Sequence, residues 1–219
     1  MSIEVVSHSS EDFIWAFRSN DPQLRIASRH VAVDPFPAYA HARPLVAECA
    51  IAADYAYPLP FQVIVHVLDR EETGRTNGFT DQAHKWDAEA GVNRLASIDI
   101  VLSAKRIPPH PAVTRYLVAH EYGHAATFAV ANKIGEDYDR VVRLYAEARG
   151  LDADDSTYGG GSWHRQAGEV MACDFRIGVL GVETEYWPHG DIERPTEAAL
   201  DWWRDARSVL DRQVDEVAS

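Results

Sequence analysis

The sequence predicts an α+β fold, with a few-stranded sheet packed on one long helix and helical additions at both ends. Two observations carry this. The β-branched runs "FQVIVHVL" (61–68) and "ASIDIVLSA" (96–104) lie close together in the chain, as strands do. Helix-period segments stand before and after them instead of alternating with them, which argues against a doubly wound sheet. A length of 219 residues fits one domain with added segments. The expected division is a helical N-terminal region over 1–58, a central core over 59–180, and a loop and helix over 181–219.

Residues 10–20 and 42–55 read as helices. "RPLVAECAIAADYAY" spaces its apolar residues helically, and the prolines of "YPLP" (57–60) end it. "FQVIVHVL" reads as a buried strand, and "DREETGRTNGFTD" (69–81) as a charged turn region. A short helix is expected over 82–91. Ile98, Ile100 and Leu102 alternate, as in a half-buried strand. A helix follows from about Pro111 to Lys133, with proline in its first turn and Gly135 past its end. A second helix, 136–150, stops at Gly150. The acidic, glycine-rich stretch 151–163 reads as a mobile loop. A third helix carries "RQAGEVMACDFRIGVL". A last one spans about 196–217, with Leu200, Trp203, Leu210 and Val214 on one face. Trp203 or Trp202 is expected to pack into the core, and His66 reads as a core histidine.

Apolar residues make up 46% of the chain and charged residues 25%, an ordinary globular balance. No apolar run is long enough to span a membrane. The start, "MSIEVVSHSSEDF", has neither a basic region nor an apolar stretch of a secretory signal, so a cytoplasmic protein is expected. The formal net charge of −13 would repel phosphate backbones, which argues against nucleic acid as a partner. Cys49 and Cys173 form no disulfide framework and suit a reducing compartment.

The stretch "VTRYLVAHEYGHAATFAVAN" (113–132) carries the chemistry. His120 and His124 are one helical turn apart and can offer two imidazole nitrogens to one ion. Neutral imidazole suits zinc. Glu121 lies one step around the helix, where it can reach a zinc-activated water as general base without being a ligand. Gly123 costs about 1 kcal/mol against alanine in mid-helix, which is tolerable if another backbone packs there.

A catalytic zinc needs a third protein ligand. A histidine six residues past His124 is ruled out by Val130, and a glutamate nineteen past it by Arg143. The candidates are Glu147, Asp155, His164, Glu169 and Asp174. Setting separates two of them. Glu147 sits among Arg143, Arg149 and other charges, where water satisfies it. Glu169 is flanked by Ala167, Gly168, Val170, Met171 and Ala172. A carboxylate in such a helix needs a partner, and zinc is one.

"VAHEYGHA" followed by "GEVMACDF" resembles the gluzincin metallopeptidases. The run Glu169-Val170-Met171-Ala172-Cys173-Asp174-Phe175 is similar to that of IrrE-type and lethal-factor-like peptidases. The resemblance covers two short stretches. It implies a small zincin-like domain with Zn²⁺ held by His120, His124 and Glu169. It also implies that Asp174 supports one of the histidines.

Hydrolysis develops negative charge on the carbonyl oxygen, so a donor opposite the zinc is expected. Tyr158 and His164 flank Gly159, Gly160 and Gly161 and are the candidates for it. An extended substrate pairs with a strand at the cleft edge in such enzymes, and the sequence does not say which strand. The expectation is therefore a zinc metalloendopeptidase acting on a protein or peptide substrate. The alternatives are a non-catalytic, zinc-stabilised regulatory or structural binding module, and a helical interaction protein without metal. An intact Glu121 counts against the former, because a structural site needs no base.

Overall fold

A computed structural model describes residues 3–8, 41–68, 78–89, 91–151, 166–183, 188–190 and 192–212. In chain order the elements are β1 (Ile3–His8), α1 (Ala42–Ala56), β2 (Val63–Leu68), β3 (Gly78–Asp87) and β4 (Val92–Ser103), then α2 (Pro111–Ile134), α3 (Tyr138–Arg149), α4 (Ala167–Asp174) and α5 (Glu197–Asp211). The α+β expectation agrees with this mixture. The 10–20 helix, the 151–163 loop beyond Leu151 and the end of the last helix past Arg212 lie outside the described residues.

The four strands form one mixed sheet in the order β1-β2-β4-β3. β1 and β4 run parallel to β2, pairing Val5 with Val65 and Val65 with Ile100, while β3 runs antiparallel to β4. Two expectations change here. Residues 3–8 form a strand, so the N-terminal region is not purely helical. Residues 78–87 form β3, where a charged turn region up to Asp81 and then a short helix over 82–91 were expected; the rest of that turn region, 69–77, lies outside the described residues. The hydrophobic period of 82–87 is weak, and pairing with β4 supplies the hydrogen bonds a helix would otherwise supply. The pairing slips at Ala83/His84, a bulge that bends the outer strand.

β2 is buried along its whole length, and β4 from Ile98 to Ser103. Strands shielded on both faces read as continuous apolar runs instead of alternating ones. This is why β4 is more buried than its alternation suggested. Val63, Val65, Val67, Ile98, Ile100 and Leu102 join residues of α1 and α2 in the main core. His66 is buried on the opposite side, 3.8 Å from Asp99, as a core histidine.

The helix ends follow their sequence signals. Pro111 opens α2, and Gly135 and Gly150 close α2 and α3 with φ of 73°, a region that favours glycine. Asp137 accepts a hydrogen bond from the Arg140 backbone N–H and caps α3. α4 passes directly into a π-helical turn, Phe175–Val179, so the single third helix expected from the sequence is two kinds of helix. α5 lays Trp203, Ala206 and Leu210 into the core. Among the described residues no helix is long and apolar enough to cross a membrane.

Candidate metal centre

α2 is buried from Leu117 to Gly123 and again from Ala125 to Ala131. His120 and His124 project from one side of it, their rings 4.9 Å apart and nearly perpendicular. α4 crosses against that side. A Cβ on Gly123 would stand 2.8 Å from Ala172 Cα and 2.9 Å from its carbonyl oxygen. The two helices therefore meet backbone to backbone, and the mid-helix glycine is explained by that approach.

Close packing brings Glu169, one turn before Cys173, over the histidines. Its Oε2 lies 3.0 Å from His120 Nε2 and its Oε1 3.6 Å from His124 Nε2. One ligand atom from each of the three residues falls within 4.8 Å of the others. Glu147 is exposed on α3 and far from this role. Asp155, Tyr158 and His164 lie outside the described residues.

The other ring nitrogens are held from outside the cluster. His124 Nδ1 is 2.8 Å from the Tyr138 hydroxyl, and His120 Nδ1 is 3.3 Å from Cys173 Sγ. When Nε2 offers its lone pair to an ion, Nδ1 carries the proton and donates to that partner, which fixes tautomer and ring orientation. The support expected of Asp174 is not there. Asp174 is fully buried, takes a 2.8 Å bond from Arg149 Nε and another from the Tyr145 hydroxyl. Five positions after Glu169 it has rotated away from the histidines and toward α3.

Charge in the cluster is concentrated in little water. Burial pushes the Glu169 carboxyl up, but hydrogen bonds and charge from His120 and His124 hold it well below the usual carboxylate range. Burial pushes His120 down, yet Cys173 and Glu169 outweigh it and raise the imidazole. Burial pushes the Cys173 thiol up, but His120 and then His189 bring it down to about 5. The shifts are mutual: the histidines favour the ionised forms of Glu169 and Cys173, and these in turn favour the protonated form of His120. Two imidazole nitrogens and a carboxylate oxygen, converging with their far atoms held, are a donor set that fits a zinc ion.

Glu121 stands beside this cluster and outside it. It is 5% exposed, and its carboxylate turns to β3, where the Thr80 hydroxyl lies 2.9 Å from Oε2. Sequence reasoning missed Thr80, Tyr138 and Cys173. Tyr138 had one signal, its place at the first position of a helix joined to α2 by a short turn. Cys173 had its i+4 spacing from Glu169. Thr80 had none, because it was read as part of a charged turn region and not of a strand. In comparison with protein families, curated proteins and solved structures, nothing matches this chain.

Proposed function

We propose that this chain is a zinc-dependent metallopeptidase of gluzincin type, acting on a protein or peptide substrate. The observation that supports it is the convergence of His120, His124 and Glu169 within 4.8 Å, with Glu121 adjacent on the same helix but outside the ligand set. His120 and His124 would hold zinc through Nε2 and Glu169 through its carboxylate, with Cys173 and Tyr138 orienting the rings. Zinc in such a site lowers the pKa of a coordinated water toward about 7 and polarises a carbonyl. Glu121 takes the proton of the attacking water and later delivers it to the leaving amine. β3 is the outer strand beside Glu121 and offers an open backbone edge among the described residues. An extended peptide pairing there would bring its carbonyl to the base. The free cysteines, Cys49 and Cys173, suit a cytoplasmic setting.

The test is metal analysis and hydrolysis of a fluorescently labelled unfolded protein, with Glu121→Gln alongside the parent chain. Both forms should carry zinc, and the variant should lose roughly 10²–10⁴-fold in turnover. Unchanged turnover would remove Glu121 as the base. A parent chain that holds zinc but cleaves nothing would support a non-catalytic binding module.

A further inference from the structure

We propose that Thr80 on β3 is a positioning residue that locks the Glu121 carboxylate in the orientation its proton transfer requires; this rests on the peptidase reading above. Thr80 Oγ1 is 2.9 Å from Glu121 Oε2 and 3.1 Å from the Glu121 backbone oxygen. A hydroxyl has one proton to give, so the carboxylate and the carbonyl share it. The carboxylate's other oxygen faces Gly78, where a Cβ would stand 3.2 Å from Oε1. The edge strand thus ties one oxygen and keeps side chains away from the other. The tied oxygen sets the carboxylate plane, and in the proposed reaction Oε1 is the oxygen that takes the proton.

The arrangement matters because a glutamate side chain is otherwise free about several bonds. Ordering it in advance removes an entropy cost from the step it performs. A bond from a neutral donor to a carboxylate is also stronger than one between neutral groups. The plain alternative is that Thr80 only pins β3 to α2. That pin exists elsewhere, since Asn132 Nδ2 donates to Gln82 Oε1 at 2.8 Å. Thr80 is half-buried and pairs with Ile100 across the sheet, so valine fits the strand and removes only the hydroxyl.

The experiment compares Thr80→Val, Thr80→Ala and Thr80→Ser with the parent chain in their zinc-loaded forms. Steady-state kinetics on the labelled unfolded protein are measured together with zinc content. The ¹³Cδ resonance of Glu121, assigned through Glu121→Gln, is recorded at one fixed pH. Valine and alanine should lower kcat roughly 10–100-fold, the size of one bond to a charged group, with KM and zinc content unchanged. Both should shift the Glu121 resonance, and serine should restore kcat and resonance together. A parental kcat in Thr80→Val, or a resonance unmoved in both Thr80→Val and Thr80→Ala, overturns the proposal. Equal loss in the serine variant also overturns it, because the hydroxyl would not be the active feature. If the parent chain cleaves nothing, the peptidase reading fails separately, and the Glu121 resonance alone decides whether Thr80 holds the carboxylate.

Discussion

At the residue scale, the three ligand candidates differ from ordinary polar residues in what surrounds them. His120 is buried and Glu169 is held ionised against burial, and Glu169 is the one carboxylate that reaches both histidines among the described residues. Glu169→Ala should therefore lose zinc or bind it at least roughly 100-fold more weakly, about the effect of an absent ligand. Glu147→Ala changes an exposed side chain and should leave zinc affinity as it was. Competition with a chromophoric chelator measures both. Zinc lost from the Glu147 variant and kept by the Glu169 variant would reverse the assignment. Tyr138→Phe tests the outer partners. The ring keeps its contact with Phe128 at 4.5 Å while the hydroxyl on His124 goes. Zinc affinity should fall about 10–100-fold with the fold intact, and unchanged affinity would mean that Tyr138 does not orient the ligand.

At the element scale, the site depends on how closely α2 and α4 approach. Gly123→Ala gains about 1 kcal/mol of helix propensity but places a methyl 2.8 Å from Ala172 Cα. Backbone cannot rotate away as a side chain can, so α4 must shift. The expected result is net destabilisation of about 1–3 kcal/mol with weaker zinc binding, read by calorimetry and chelator competition. A higher melting temperature at full zinc affinity would show that the helices are not in contact there. The opposite face of the same C-terminal turn of α4 is tied to α3. Arg149 and Asp174 are 4% and 0% exposed at the side chain, and breaking a buried pair by removing one partner costs about 3–5 kcal/mol. Asp174→Ala should lower stability by that order in chemical denaturation. The folded fraction should still bind zinc as the parent does, since Asp174 touches neither histidine. Zinc affinity lost in step with the mutation would restore Asp174 as a histidine partner.

At the scale of the whole molecule, an aromatic cluster joins the last helix to α2. Phe175 packs against Trp203 at 4.7 Å, Tyr57 at 5.0 Å and Tyr122 at 6.3 Å, and the Tyr122 hydroxyl donates to Asp54 at 2.9 Å. Trp203→Ala should cost about 3–5 kcal/mol, seen as a lower denaturation midpoint, and a midpoint within error of the parent's would show that α5 is not docked through this ring. Most of the helices were legible because helical period, proline starts and glycine stops are local signals. His120, Glu121 and His124 were legible for the same reason, since five consecutive residues state their own geometry. The choice of Glu169 rested on local composition, and its small neighbours are the ones that let α4 close on Gly123. β1 was not legible, because a strand at the sheet's edge is defined by its pairing with β2, far along the chain. The same holds for β3, whose turn and helix readings gave way to pairing with β4. Arg176, fully buried over the Tyr116 ring at 4.1 Å, looks like a surface charge in sequence. By itself the sequence determined that His120 and His124 share one side of a long helix with Glu121 next to them, because side-chain identity and helical period are written locally. Only the tertiary structure decided that Tyr138 and Cys173 brace the histidines, that Asp174 pairs with Arg149, and that Thr80 meets Glu121. Those contacts join residues distant in the chain, and their geometry exists only once the helices and the sheet have packed.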